Sequence, residues 1–317
     1  MTDSATTAQE LGPATGSYVA PPDVTADRVG SLWSDAFAEL RHKATFWISL
    51  TLIVLFIVMA IAPQLFTSTD PTVADLSRSR EKPSGNAWFG RDSQGYDVYA
   101  RTVYGARASI LVGIFATLLT VVVGGIAGVI AGYAGGRLDA LISRVGDIFL
   151  GIPFLLGGIL ILYTFPNELN SPYLAVVGKV VLAIGILSWP SIFRLMRASV
   201  LQVKPNDYVH AARAMGASPL RIITSHIVPN SLAPVMVVST INLGAYISAE
   251  ATLSFLGIGL QPPAISWGLA ISEASGIGLI RAAPHMLIFP SIFLSATVLA
   301  FIMLGDAIRD ALDPKLR

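Results

Sequence analysis

Long apolar runs alternate with short polar stretches along this chain. Six apolar segments, near 44–63, 108–133, 141–163, 173–194, 228–256 and 284–306, reach the roughly 20 residues needed to cross a 30 Å hydrocarbon layer. Backbone polar groups have no water to bond in lipid, so the pattern predicts helices rather than open strands. The expected class is all-α, a polytopic membrane protein with six transmembrane helices. The fourth segment holds Lys179, which must snorkel toward an interface.

Composition agrees with that pattern. Charged residues make up 13% of the 317 positions, about half the share usual in a soluble domain, and mean hydropathy is +0.66. Net charge is +1, so no broad basic field invites nucleic acid. Cysteine is absent, which removes disulfides, thiol catalysis and Cys-based zinc sites together. Residues 1–30 are rich in small and polar types and read as a disordered start to a tail running to 43. The run Phe46–Met59 followed by Ala60-Ile61-Ala62 imitates a cleavable leader, but Pro63 follows at once, and the segment reads as an uncleaved anchor.

Six crossings place both termini on one side. With the termini inside, 13 lysines and arginines face inward and 8 outward, which favours cytoplasmic termini in a cell membrane. The expected division is a first helix at 44–63, an extracytoplasmic loop at 64–107, a five-helix core at 108–306 with a cytoplasmic loop at 196–226, and a tail at 307–317. Gly124, Gly128 and Gly132 share one face of the second span and read as close helix packing.

The 196–226 loop carries the densest local signals. Asn206 or Asp207 can cap a short helix through Met215, Gly216 can end it in a left-handed conformation, and Ser218 can cap a second helix with Pro219 at its first position. The first helix is expected to expose Tyr208, Ala211, Ala212 and Met215, small or apolar groups on a wet segment. Such a helix should dock into something.

These residues carry a resemblance. His210-Ala211-Ala212, then Gly216 and, thirteen residues on, Pro229 resemble the "EAA…G…P" loop of binding-protein-dependent ABC importer permeases, with His210 where that family usually has Glu. Trp88-Phe89-Gly90 through Asp97-Val98 to Tyr104-Gly105-Ala106-Arg107 resembles the segment before the second span in dipeptide, oligopeptide and nickel permeases. Tyr96 and Arg91 depart from the usual Arg and Thr there. Glu250-Ala251 through Ser254-Phe255-Leu256-Gly257 to Gln261-Pro262-Pro263 and Ser266-Trp267-Gly268 is similar to the same group, as is Leu304-Gly305-Asp306 to Leu312-Asp313-Pro314. The similarity runs from about Leu32 to the C-terminus and points to the second, C-type permease.

The resemblance implies a type I (MetI-like) permease fold in a bacterial plasma membrane. It implies as partners a second homologous permease, two ATP-binding subunits or domains, and an extracytoplasmic substrate-binding protein. His210, Ala211, Ala212, Met215, Gly216 and Pro229 would then couple the chain to the ATPase.

The remaining chemistry is sparse. No phosphate-binding G-x-x-x-x-G-K-[ST] occurs, so ATP is expected on other chains and no cofactor on this one. No hydrolase motif occurs, and His42, His210, His226 and His285 lack metal-ligand spacing, so neither a catalytic nor a metal site is expected. A peptide is the expected cargo, with a nickel chelate or a glutathione-type compound as the alternative. An ion-coupled secondary transporter would want inverted halves, and a passive channel a filter motif; neither pattern is visible. Asp147 is expected to pair with Arg144 three residues away, and Asp306 to be wet. Asn242, Tyr246 and Glu250 recur every four residues and form a polar stripe on the fifth span. That stripe either borders a pathway or bonds to a neighbouring helix.

Overall fold

The computed structural model describes residues 37–167 and 171–312. The 1–30 tail, and with it most of 1–43, falls outside them. Among the described residues the architecture is helical, with a helical turn at 37–40, eleven further α-helices and no named strand. These are α1 (Ala44–Ile61), α2 (Val98–Ala134), α3 (Gly136–Leu150), α4 (Phe154–Thr164), α5 (Tyr173–Val203), α6 (Asp207–Ala214), α7 (Pro219–Ile222), α8 (Val228–Phe255), α9 (Trp267–Ala274), α10 (Ile277–Ala282) and α11 (His285–Leu312).

Five helical runs are long and apolar enough to cross a membrane: α1, α2, α5, the continuous run Pro219–Phe255, and α11. A sixth crossing has to be built from α3 and α4, which meet at 87°. The expected straight helix over 141–163 is therefore corrected. Gly151-Ile152-Pro153 interrupts it, because Pro153 disfavours helical geometry in the residue before it. The α4 piece has 11 residues, about 16 Å at 1.5 Å per residue, too short to span alone.

Two boundaries also move. Helix α2 starts at Val98, ten residues before the apolar run, because the Asp97 carboxylate accepts the Ala100 N–H at 2.8 Å and caps it. Hydropathy hid that start behind Arg101, Tyr104 and Arg107. Helix α5 runs on to Val203, and Pro205 is the first residue that stops it. The connection between the two membrane-spanning runs thus contracts from 196–226 to about 204–218. At the far end α11 continues to Leu312, where Ala307 and Ala311 bury against Leu40.

Helices α2 and α5 form the spine of the core. A Cβ on Gly124 would stand 2.6 Å from the Trp189 carbonyl, and one on Gly128 would stand 2.8 Å from that of Phe193, so only glycine permits this approach. Helix α1 joins a cluster in which Phe56 packs edge-on to Trp267 at 6.0 Å. The Trp267 indole N–H donates to the Thr102 carbonyl at 2.8 Å, which fixes α9 against α2.

Residues 62–97 fold over the end of this bundle. Phe89 stacks on Phe289 at 3.8 Å, and Arg101 bridges Asp92 at 2.8 Å and Glu273 at 3.1 Å. Arg78 hydrogen-bonds the Glu81 carboxylate and holds it below its ordinary pKa. At the opposite end, Arg197 grips Asp139 with two hydrogen bonds of 2.5 and 2.7 Å, and Arg194 meets Asp147 at 2.7 Å. Asp147 therefore pairs across to α5 and not with Arg144 on its own helix. Asp306 is exposed.

Candidate functional site: the α6 loop and the α8 stripe

The segment between α5 and α8 lies beyond the ring of ion pairs that Arg194 and Arg197 make. Helix α6 ends by a two-bond left-handed cap: Gly216 N–H donates to the Arg213 carbonyl at 3.0 Å and Ala217 N–H to that of Ala212 at 3.1 Å. Gly216 sits at φ +83°, a conformation costly for residues with a Cβ. At the start of α6, Asn206 occupies the cap position, but its side chain makes no cap bond and instead donates to the Tyr208 hydroxyl at 3.2 Å. Ser218 does cap α7, accepting from Arg221 N–H at 3.4 Å, with Pro219 at the first helical position.

From Pro219 the chain is helical without a gap to Phe255, through one wide π turn at Ile223–Ile227. The π turn lies just ahead of Pro229, which has no N–H to donate back and whose ring crowds the preceding turn. Pro229 itself is exposed. Loop helix and membrane helix are thus joined through one helical run.

The two faces of α6 differ. Val209 and Ala212 are buried with Ile222 and Ile227 below them and with Met196 and Val200 of α5 beside them. Exposure of Ala212 is therefore a corrected expectation. It lies inside the chain's own packing, at 2% exposure, because its small side chain lets α6 sit close to α7 and α5. His210, Ala211, Met215 and Tyr208 face outward. Met215 is 81% exposed and Leu220 71%, two large apolar side chains that the chain's own packing leaves uncovered. The sequence reading missed Leu220. Its signal was available, since Leu220 follows the predicted Ser218-Pro219 helix start by one residue.

The polar stripe on α8 resolves differently at each position. Glu250 is fully enclosed and accepts from Ser109 Oγ of α2 at 2.8 Å and from Ser254 Oγ at 2.7 Å. Ser254 Oγ in turn accepts from the Leu260 N–H at 2.9 Å, which holds the turn after α8. Tyr246 is buried at 7% exposure, in a cluster with Val180 and Ile184 of α5. Asn242 is half-buried. Of the two readings of the stripe, burial at Tyr246 and Glu250 supports bonding to neighbouring helices: their side chains meet α2 and α5 inside the chain. The exposed face of α8 is another one, bearing Ala245 and Ser248, with the half-buried Thr252 in line with them at helical spacing. Among the described residues, no group of three or more His, Asp or Glu is placed to hold a metal ion.

Comparisons with known proteins fall on the same elements. Residues 124–317 match the family described as binding-protein-dependent transport system inner membrane component, and residues 31–83 match the N-terminal transmembrane domain of oligopeptide transport permease C. The chain is 38% identical over 287 residues to the oligopeptide transport system permease protein OppC of Bacillus subtilis (strain 168), covering 90% of this chain and 91% of that one. It is 38% identical to the dipeptide transport system permease protein DppC of Alkalihalophilus pseudofirmus, covering 94% of each. It is 35% identical to the glutathione transport system permease protein GsiD of Escherichia coli O157:H7, covering 94% and 95%. Among solved structures, an inward-facing MetNI methionine ABC transporter chain superposes with a TM-score of 0.53 at 21% identity, covering 67% of this chain and 96% of that one. That last likeness concerns the fold alone.

Proposed function

The chain belongs to the binding-protein-dependent transport system inner membrane component family, in its oligopeptide and dipeptide C-type branch, and on that premise we propose that it forms half of the translocation pathway of an ATP-driven peptide importer. Nucleotide is held by partner subunits, and this chain hydrolyses nothing itself. A second homologous permease supplies the other half of the pathway, and an extracytoplasmic binding protein delivers the cargo. Both termini are cytoplasmic, which puts α6 on the side of the ATPase and the 62–97 lobe outside. The relatives named for oligopeptide, dipeptide and glutathione transport support cargo with a peptide backbone over a nickel chelate.

The observation that carries this reading is the pair Met215 and Leu220. Burying one large apolar side chain is worth about 1.5–3 kcal/mol. Leaving two such groups at 81% and 71% exposure on a capped loop makes sense when a partner covers them. His210 and Ala211 border them, and the continuous run from Pro219 carries displacement of the docked loop into α8. The face of α8 that bears the exposed Ala245 and Ser248 and the half-buried Thr252 is the surface we assign to the pathway.

The test is a Met215→Asp, Leu220→Asp double variant of the chain expressed with its neighbours. It should insert and retain the second permease while losing most ATPase co-purification and uptake. Unchanged ATPase attachment with normal uptake would overturn the assignment.

A further inference from the structure

Helices α2 and α5 are pressed together at Gly124 and Gly128 and stay packed toward the lobe end through Val112, Ala116, Val177 and Val180. Two cavities lie on the outer side of that seam, toward the lobe. The lower is a groove of about 510 Å³ walled by Leu111, Phe115, Leu118 and Val122 of α2 and by Val177 and Val181 of α5. Leu119 closes its floor by lying over Gly185. The upper is a second cavity of about 510 Å³ lined by Tyr104, Arg107, Asp70, Thr72 and Tyr173. Tyr104, Arg107, Leu111, Phe115, Leu118 and Val122 follow one another at steps of three or four, so both cavities lie along one face of α2.

Their dimensions and charges fit one kind of occupant. From Leu111 to Val122 the groove runs about 16 Å along the helix, roughly half of a 30 Å hydrocarbon core, which is one leaflet. A partner helix crossing the bilayer would need about twice that length. Arg107 marks the interface level, since it donates to the last carbonyls of α1, Ala60 at 2.9 Å and Ile61 at 3.2 Å. Opposite it stands Asp70, whose carboxylate accepts from the Thr72 N–H at 2.8 Å and hydroxyl at 2.6 Å. Those bonds hold Asp70 below its ordinary pKa.

We infer that this groove is a binding site for a zwitterionic phospholipid of the lobe-side leaflet, with one acyl chain between α2 and α5, the phosphate on Arg107 and an amine headgroup toward Asp70. The lipid covers the outer apolar side of the seam between the two spine helices.

Gly178 provides the decisive variant. It lies in the groove wall, and a Cβ built there meets nothing within 4 Å, so a larger side chain fills the groove without disturbing the helices. The complex, purified in mild detergent after reconstitution in phosphatidylethanolamine and phosphatidylglycerol, is examined by native mass spectrometry. One phosphatidylethanolamine retained per copy of this chain is expected for the native protein and for Gly178→Ala. Gly178→Phe should lose it, and Arg107→Gln should hold it about tenfold more weakly, the size of one lost charged hydrogen bond. Equal retention by native and Gly178→Phe complexes would overturn the site. So would equal retention of phosphatidylglycerol. Efficient cross-linking of a Gly178→Cys thiol to the second permease would show a subunit contact there instead, and would also overturn it. None of these readouts depends on uptake, so the lipid site can fail while the importer assignment stands.

Discussion

Ser109 on α2 donates its hydroxyl to Oε2 of Glu250 on α8 at 2.8 Å, 141 residues away along the chain and wholly out of contact with solvent. The second carboxylate oxygen takes the Ser254 hydroxyl. A buried polar group left without its partner costs about 1–3 kcal/mol. Ser109→Ala and Glu250→Ala should each lower the melting temperature of the purified complex, and the double variant should lower it by clearly less than the sum. Strict additivity would show that the two side chains do not interact. Glu250→Gln, which keeps one acceptor oxygen, should be milder than Glu250→Ala.

The bent α3–α4 pair depends on a different contact. Arg197 holds both oxygens of Asp139, and this bidentate clamp, aided by Arg194 and Asp147, fastens α3 across the foot of α5. The clamp is half-buried, so Asp139→Asn should destabilise by about 1.5–3 kcal/mol, the range for charged hydrogen bonds. Arg197→Asp should do worse, because it sets two carboxylates face to face. The reciprocal pair Asp139→Arg, Arg197→Asp should recover part of the loss. Thermal stability in detergent reads all three, and an Asp139→Asn variant as stable as the native chain would remove the clamp from the account.

Much of this architecture is legible in the sequence, and the misses have identifiable causes. Apolar runs located the crossings, and the Gly216 and Ser218-Pro219 signals located the loop turn, because those features are local. The break at Gly151-Ile152-Pro153 was visible as residues but was overridden by the surrounding hydropathy. The start of α2 at Val98 was hidden because a cap, not an apolar residue, defines it. Long-range partners were the least legible. Nothing near Glu250 in the chain names Ser109, and nothing near Asp147 distinguishes Arg194 from the closer Arg144. Periodicity showed that Tyr246 and Glu250 share a face with Asn242 but not which neighbour that face meets. The same limit applied at Ala212, where a small residue facing a partner and one facing its own core look identical in sequence.

The proposed orientation rests on the charge distribution and is open to direct test. The chain has no cysteine, so single thiols report without background. Ser84 in the lobe and Ser218 in the α6–α7 turn are both exposed and sit at opposite ends of the bundle. In intact cells an impermeant maleimide should label Ser84→Cys and leave Ser218→Cys untouched until the membrane is opened. Labelling of both in intact cells, or of Ser218→Cys alone, would reverse or break the arrangement.

Neighbouring alanines in the loop helix separate packing from docking. Ala212 is enclosed by Ile222, Ile227, Met196 and Val200, whereas Ala211 faces away from them. Ala212→Asp places an unpaired charge in that cluster, a change costing several kcal/mol. It should detach α6 from the end of α5 and speed tryptic cleavage after Arg213 and Arg221, while the membrane helices stay inserted. Ala211→Asp adds the same charge to water and should leave the cleavage pattern unchanged. Its effect should appear only in the assembled transporter, as weaker ATPase attachment and slower uptake, because the carboxylate would then face the partner beside Met215 and Leu220. Limited proteolysis and ATPase co-purification on the two variants give a two-way readout. If Ala211→Asp assembles and transports normally, the outer face of α6 carries no partner. If Ala212→Asp resists trypsin like the native chain, the helix is held by something other than this cluster.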